Sequence, residues 1–485
     1  MTVQDLPAIL PFIVLSSAAV AVMLSIAIRR SHFVVVLLTL AGFALSLACI
    51  ALAVPSAPRA VGNLLIIDNY ALFFSGLLIA AGLAVAMISQ GYLKRQPARR
   101  EEFYLLLLLA SLGAAVLAAA NHFASFFLAL ELLSVSLYAL IGYERRSVLG
   151  VEAALKYLVL AGASSALLLF GMALAYAALG TMQFDQMSRL MQAQPHGALL
   201  PAGLGLIVVG FGFKLALAPF HFWTPDVYQG ASAPVSAFIA SVSKAGMFAL
   251  LLRYFAVAEF RNSDALVVTF MLLSVASMFT GNLLALRQDS VKRILAYSSI
   301  AQLGYVLVAF LASGLLGARA VMYYLVAYVV TMLGAFGVVA AISGPAGEAD
   351  NIEDFSGLAW RRPALAAVMT GSLLSLAGLP LTAGFVGKFY VLLAGVHSGL
   401  WLLVVLLAIN SALGLFYYLR IVSAMYRSPD ERRRRPLLTP PVQRIYPLPL
   451  LGGIALAAIL LALVALGVYP SPLVRLIEAV TAGLF

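Results

Sequence analysis

Five ionisable residues stand in stretches otherwise built from apolar side chains. Glu131 lies in SFFLALELLSVSLYAL, Lys214 in VVGFGFKLALAPF, Lys244 in AFIASVSKAGMFALLL and Lys388 in LTAGFVGKFYVLLAG. The fifth, Lys156, follows Glu152 at i,i+4. The lysine type matters, because an ammonium group gives up its proton when desolvated or crowded by like charge, whereas a guanidinium keeps it. A series of buried lysines can therefore load and release protons. Glu131 is the natural countercharge for Lys214, and two readings of that pair stand: a switch that holds and releases a proton, or a static ion pair that fixes packing. Lys156 also has two readings, an interfacial anchor paired with Glu152 or the inlet to a path. Neutral groups that both donate and accept hydrogen bonds lie between the charges: Tyr297, Ser298, Ser299, Gln302 and Tyr305, then Tyr323, Tyr324 and Tyr328, then Asn410, Tyr417 and Tyr418. His221 and His397 have no metal-ligand partner at helical spacing, so no metal site is expected.

Elements able to position such residues follow from composition. Of 485 residues, 63% are hydrophobic and 10% charged, against roughly 25% charged in soluble domains. The chain cannot cover a water-facing surface, and lipid is the alternative solvent. Apolar runs of about 20 residues, the length that crosses a bilayer core, occur almost end to end. Spans are placed at 7–28, 33–54, 70–92, 103–120, 122–143, 155–179, 201–223, 231–255, 265–286, 294–314, 320–343, 364–394, 399–426 and 446–469. The expected fold is all-α and polytopic, with about fourteen transmembrane helices. Placing a charge at the centre of a bilayer costs at least about 2.5–3.5 kcal/mol. The buried lysines should therefore face the bundle interior.

The net charge of +11 is distributed by side. Arg29, Arg30, Lys94, Arg95, Arg99, Arg100, Arg145, Arg146, Arg287, Lys292, Arg293, Arg361, Arg362 and the basic run from Arg427 to Arg444 fall in loops on one face. The other face has Arg59, Arg189, Arg253, Arg261, Arg319 and Arg475. Basic loops stay cytoplasmic, so both termini point outward. The charge is a topology signal, and nucleic acid is not the partner. Arg420 is placed near the inner end of its span, within reach of the headgroups. The lone Cys49 excludes disulfide frameworks and CxxC metal sites. The first apolar run lacks a basic leader and should be retained.

Spans four to eight and nine to thirteen form two successive blocks of five, and an odd number inverts the second block relative to the first. The fourth span of each block has a mid-run proline, Pro219 in KLALAPFHFW and Pro380 in LAGLPLTAGF. Proline removes a backbone donor and breaks the helix, and in lipid the freed carbonyls need partners from protein or water. Two inverted five-helix repeats, each with a broken helix, are thus expected: residues 1–101 form an N-terminal three-helix region, 102–260 the first repeat, 261–426 the second, and 427–485 a cytoplasmic basic loop and last helix.

The stretches GFKLALAPFHFWTPDVYQGASAPVSAFIASVSKAGMF (212–248), RILAYSSIAQLGY (293–305) and SLAGLPLTAGFVGKFYVL (375–392) closely resemble the signature of the antiporter-like subunits of complex I and the Mrp cation/proton antiporters. The resemblance covers essentially the whole chain, and AMISQGYL and KYLVLAGASSALLLFGMAL are most similar to the N-type branch of bacterial NADH–quinone oxidoreductase. It implies a proton path along a central polar axis, with roles for Glu131, Lys214, Lys244 and Lys388. Related chains often have histidine where this one has Gln302, so a titrating role there must pass to water or a neighbour. The resemblance also implies a bacterial inner membrane with both termini periplasmic, and M-type and K-type membrane subunits as neighbours. NADH, FMN, iron–sulfur clusters and quinone would belong to partner subunits, with no cofactor in this chain. A multisubunit Na⁺/H⁺ antiporter subunit and a non-conducting structural spacer are the alternatives.

Overall fold

The computed structural model describes residues 5–482, except 96–99, 146, 194–196, 258–262, 313, 345–346 and 429–446. The expected basic residues Arg99, Arg146, Arg261, Arg432 to Arg435 and Arg444 lie outside the described residues. The described helices in chain order begin with α1 (Leu6–Ile28), α2 (His32–Ala53), α3 (Asn69–Arg95), α4 (Glu101–Ala119), α5 (Phe123–Ile141), α6 (Val148–Leu179), α7 (Phe184–Ala193), α8 (Leu199–Leu215) and α9 (Trp223–Gly230). They continue as α10 (Ala233–Phe238), α11 (Lys244–Val257), α12 (Asp264–Leu286), α13 (Val291–Leu311), α14 (Gly314–Ile342), α15 (Leu358–Arg361), α16 (Pro363–Ala377), α17 (Ala383–His397), α18 (Trp401–Tyr426), α19 (Leu450–Val468) and α20 (Ser471–Thr481). A short hairpin, β1 (Arg59–Val61) with β2 (Leu65–Ile67), closes the loop between α2 and α3.

Among the described residues, twelve helical stretches are long and apolar enough to cross a membrane. The shorter α8, α16 and α17 complete two broken crossings, which meets the expectation of about fourteen. Lipid-like surroundings explain the outer surface, where Ile28, Phe33, Val148, Leu402 and Leu450 are exposed; such residues would be costly in water. Inside, the crossings at Ala233–Phe255 and Val291–Leu311 are buried along the whole of their apolar window. They carry Lys244 and the Ser298–Ser299–Gln302 group. The crossings that carry these polar groups thus stand inside the bundle, as the cost of placing charge against lipid requires.

Both expected breaks are present, in the crossings that hold Pro219 and Pro380. Helix α8 ends at Ala216, whose φ of 59° is left-handed, and the chain restarts as α9. Helix α16 ends at Gly378, with φ 80°, and α17 begins after a turn capped by the Thr382 hydroxyl, which accepts from Phe385 N–H at 3.3 Å. A Cβ at Gly378 would lie 2.7 Å from Lys388 Cδ, so glycine is required there by backbone and neighbour alike. A third interruption has no proline to announce it. Residues Ile239–Ser243 form a π-helical turn directly before Lys244, a feature frequent at functional sites.

Candidate functional site

The first block places Lys214 on the last turn of α8, 6% exposed. Its ammonium donates to Ser134 Oγ at 2.7 Å and lies 5.7 Å from the Tyr157 ring centroid and 5.9 Å from that of Phe213. The α8 break leaves few loose ends: Leu217 N–H donates to Gly212 O at 2.8 Å, Ala218 N–H to Ser277 Oγ at 2.9 Å, and Trp223 Nε1–H to Phe213 O at 2.9 Å. Glu131 is half-buried and accepts a hydrogen bond from Ser165 Oγ at 2.6 Å. Among the described residues it forms no ion pair with Lys214. Ser134, one turn further along α5, takes the lysine instead. Glu131 lies on the stripe of α5 that carries the exposed Leu128 and Val135, turned toward α6. A direct pair was the expectation; each charge has a serine partner of its own instead.

In the second pocket Lys244 is fully buried and, among the described residues, has a single hydrogen-bond acceptor, Ser299 Oγ, at 2.5 Å. Ser299 in turn shares a hydrogen bond with Tyr328 Oη at 2.7 Å, and the Tyr228 ring centroid is 5.5 Å from the ammonium. The third lysine, Lys388, is held by three acceptors: Leu376 O and Ala377 O, both at 2.9 Å, and Ser411 Oγ at 2.8 Å. The two carbonyls are the C-terminal end of α16, freed by the break and carrying the negative end of the helix dipole. Breaking the helix therefore builds the cation site. Tyr305 offers its ring face 5.1 Å from the same ammonium.

A set of neutral polar groups reaches from Lys388 toward Lys244. Gln302 Nε2 donates to Leu376 O at 2.9 Å, the carbonyl that Lys388 also uses, and to Tyr418 Oη at 3.2 Å. Tyr324 Oη donates to Gln302 Oε1, and Tyr418 shares a hydrogen bond with Ser298. Ser298 and Ser299 are adjacent on α13, so the polar contacts run from Lys388 to the residue beside Lys244's partner. Tyr305, Asn282, Tyr417 and Asn410 form a branch, with Asn282 Nδ2 donating to Tyr305 Oη at 2.9 Å and to Asn410 Oδ1 at 3.2 Å. Gln302, which cannot titrate, is the junction: its amide donates one way and accepts the other.

Lys156 is 43% exposed and bridges Glu152 and Asp226, both at 2.7 Å. Asp226 also meets Arg293 at 2.9 Å, whose guanidinium reaches Gln229 Oε1 at 3.1 Å. Burial opposes ionisation of Asp226, but hydrogen bonds from Lys156 and Arg293 outweigh it and hold its carboxyl below the usual value. Of the two readings for Lys156, the contacts seen are those of an anchor, which ties α9 to α6 and α13. His221 and His397 join no metal cluster; among the described residues no group of three potential ligands converges.

Sequence reasoning missed several partners. Ser134, Ser165, Ser411 and the Leu376 carbonyl carry no signal of their own. Two basic residues read as loop charges are buried instead. Lys292, 1% exposed, pairs with Glu348 and donates to Ala231 O at 2.7 Å. Glu348 also accepts from Tyr92 Oη and from Ala233 N–H, each at 2.7 Å. Arg253 forms a two-pronged pair with Asp68 at 2.7 and 2.9 Å and donates to Ala118 O at 3.0 Å. Arg420, expected near the headgroups, also bonds to the end of α12 through Leu286 O at 3.2 Å, and to the exposed Asp289 at 2.9 Å.

Fold and site together define a multi-pass membrane protein in which two broken helices frame a buried lysine file. Residues 120–414 match the family model described as NADH:quinone oxidoreductase/Mrp antiporter, TM. The NADH-quinone oxidoreductase subunit N of Methylococcus capsulatus is 48% identical over 478 residues, covering 98% of this chain and 95% of that protein. Among solved structures, a chain of respiratory complex I from Thermus thermophilus is 35% identical, with a TM-score of 0.80 over 96% of this chain and 98% of its own. A chain of the Mrp complex from Dietzia sp. shares the fold at 20% identity, with a TM-score of 0.86 over 100% and 98% of the two chains. The chain belongs to the NADH:quinone oxidoreductase/Mrp antiporter membrane family.

Proposed function

We propose that this chain is a proton-translocating membrane subunit of an NADH–quinone oxidoreductase, and that Glu131, Lys214, Lys244 and Lys388 carry the protons. The polar contacts that run from Lys388 through the shared Leu376 carbonyl, Gln302 and Tyr418 to Ser298, beside the Lys244 partner Ser299, carry the reading. A static scaffold has no use for a string of groups that both donate and accept, aligned between buried amines. High identity to a subunit N favours the oxidoreductase over a sodium/proton antiporter. In this reading Ser134 relays between Glu131 and Lys214, and Gln302 with Tyr305 supplies the polar link toward Lys388. Lys156 has a second role as inlet, through Asp226. Electron chemistry takes place in partner subunits, which hold FMN, iron–sulfur clusters and the quinone, and this chain binds no cofactor. Its flanking partners are M-type and K-type membrane subunits. It sits in the bacterial cytoplasmic membrane with both termini periplasmic, and residues 102–260 and 261–426 are its two inverted repeats. Moving a charge against the membrane potential takes about 2.3 kcal/mol per 100 mV, which redox drive from the partners would supply.

The test separates electron from proton flow. In a Lys244→Ala strain, the assembled complex should still oxidise NADH while the protons moved per NADH fall. An unchanged ratio would remove the proposal, and sodium-dependent proton exchange without NADH–quinone reductase activity would replace it with the antiporter.

A further inference from the structure

The lysines of the file and the paired lysines outside it are held by different chemistry. Lys156 pairs with Glu152 and Asp226, and Lys292 with Glu348. Among the described residues, neither has an aromatic ring over its ammonium, and Lys214, Lys244 and Lys388 have no carboxylate partner. Each of these three instead has a ring face near its charge: Tyr157 at 5.7 Å and Phe213 at 5.9 Å for Lys214, Tyr228 at 5.5 Å for Lys244, and Tyr305 at 5.1 Å for Lys388, measured to the ring centroid. All lie within the roughly 6 Å over which the quadrupole of a ring attracts a cation. Of the three, Lys214 has two such rings.

The Lys214 rings are fixed by their own packing. Tyr157 comes from α6 and Phe213 from α8, and their planes are within 22° of parallel. Trp223, at the start of α9, braces both, with its centroid 4.8 Å from that of Tyr157 and 5.5 Å from that of Phe213. Its indole N–H donates to Phe213 O at 2.9 Å, which ties the chain after the break to the turn before it. All three side chains are buried, and a cation–π contact strengthens where water is excluded. Among the described residues the Lys214 ammonium has one hydrogen-bond acceptor for three N–H groups, Ser134 Oγ. Glu131 accepts from Ser165 instead. The two ring faces thus supply the negative potential that no carboxylate supplies.

We propose that Tyr157 and Phe213 form an aromatic seat that holds the protonated form of Lys214 by cation–π attraction in place of a carboxylate. The proposal rests on the proton-translocating reading above and adds two residues to it. A carboxylate can take the lysine's proton for itself. A ring cannot: its face attracts the charged amine far more than the neutral one, and it is apolar enough to bury without a partner. The amine gains one proton and later gives it up, and the rings are left unchanged. Tyr157 and Phe213 are therefore positioning residues, which favour loading of Lys214 without entering the proton transfer.

The test uses the assembled complex in proteoliposomes, with NADH oxidation and the initial rate of proton uptake recorded separately. Tyr157→Leu removes the ring and should slow proton uptake about threefold to thirtyfold, whereas Tyr157→Phe, which keeps the ring, should behave as the parent. Fluorinated phenylalanines at position 157 separate electrostatics from shape. Successive fluorines drain the ring face of negative potential while nearly preserving its outline, so the logarithm of the uptake rate should fall stepwise with fluorine number. A ring that serves packing alone gives no such gradient. A parental rate in Tyr157→Leu, equal rates across the fluorinated series, or loss of uptake in Tyr157→Phe would overturn the seat while leaving the function intact, provided Lys244→Ala still lowers the protons moved per NADH. An unchanged ratio in Lys244→Ala would instead remove the broader reading. Should Tyr157→Leu not assemble, the fluorinated series, which preserves the packing, decides alone.

Discussion

Lys244 and Lys388 differ in how the fold supports them. Lys388 has three acceptors, two of them backbone carbonyls, whereas Lys244 depends on Ser299. A hydrogen bond to a charged group contributes about 1.5–3 kcal/mol. Ser299→Ala removes the one acceptor that the described residues give Lys244 and should slow proton transfer about tenfold or more. Ser411→Ala removes one acceptor of three and should act far more weakly. Initial rates of proton uptake in the two variants provide the comparison, and equal losses would contradict it. The lysines were legible in the sequence because a charge in an apolar run is conspicuous, and Gln302, Tyr324, Tyr328 and Tyr418 because they are polar and near. Ser134 and Ser411 were not, since a serine within a membrane helix usually bonds back to its own backbone. Nothing in the sequence distinguishes one that reaches across. The Leu376 carbonyl is a feature of a broken helix, visible only once its end is located in space.

At the level of elements, the broken helices were predictable from Pro219 and Pro380, but the site they create depends on the backbone and side chains around each break. Gly378 combines a φ of 80° with Lys388 packed against it. Gly378→Ala adds about 1–2 kcal/mol of backbone strain and pushes on the lysine chain. Proton translocation should fall in that variant, whereas Gly162→Ala, where a methyl meets open space, should leave it unchanged. The α9–α10 junction is held differently. Lys292 and Glu348 clasp it from both sides, the lysine through Ala231 O and the glutamate through Ala233 N–H. Removing one member of a buried pair costs about 3–5 kcal/mol because the other is left uncompensated. Lys292→Met should lower the thermal stability of the solubilised complex substantially, and Lys292→Met with Glu348→Gln should recover part of the loss. Sequence alone assigns Lys292 to a loop, since the counting rule for basic residues does not distinguish a charge at the headgroups from one folded under a helix end.

Over the whole molecule, the apolar runs located nearly every crossing, because a bilayer admits only helices whose backbone groups are satisfied internally. It did not show which crossings are central. The wholly buried pair Ala233–Phe255 and Val291–Leu311 emerged only from packing. Orientation is a property of the entire chain and is open to direct measurement. In a Cys49→Ser background, a cysteine placed at Thr181 should react with a membrane-impermeant maleimide added outside intact cells stripped of their outer membrane. One at Ser147 should react only in inverted vesicles. The opposite pattern would invert the topology and exchange the two faces of the path.

The π-helical turn at Ile239–Ser243 sets an angular phase for everything after it. Such a turn holds one residue more than its α counterpart, and a residue is worth about 100° of rotation. Lys244 therefore points about a third of a revolution away from the bearing an uninterrupted helix would give it, and it is this offset that aims its amine at Ser299. The direction in which the central charge looks is stored in the winding of a backbone, one residue out of step.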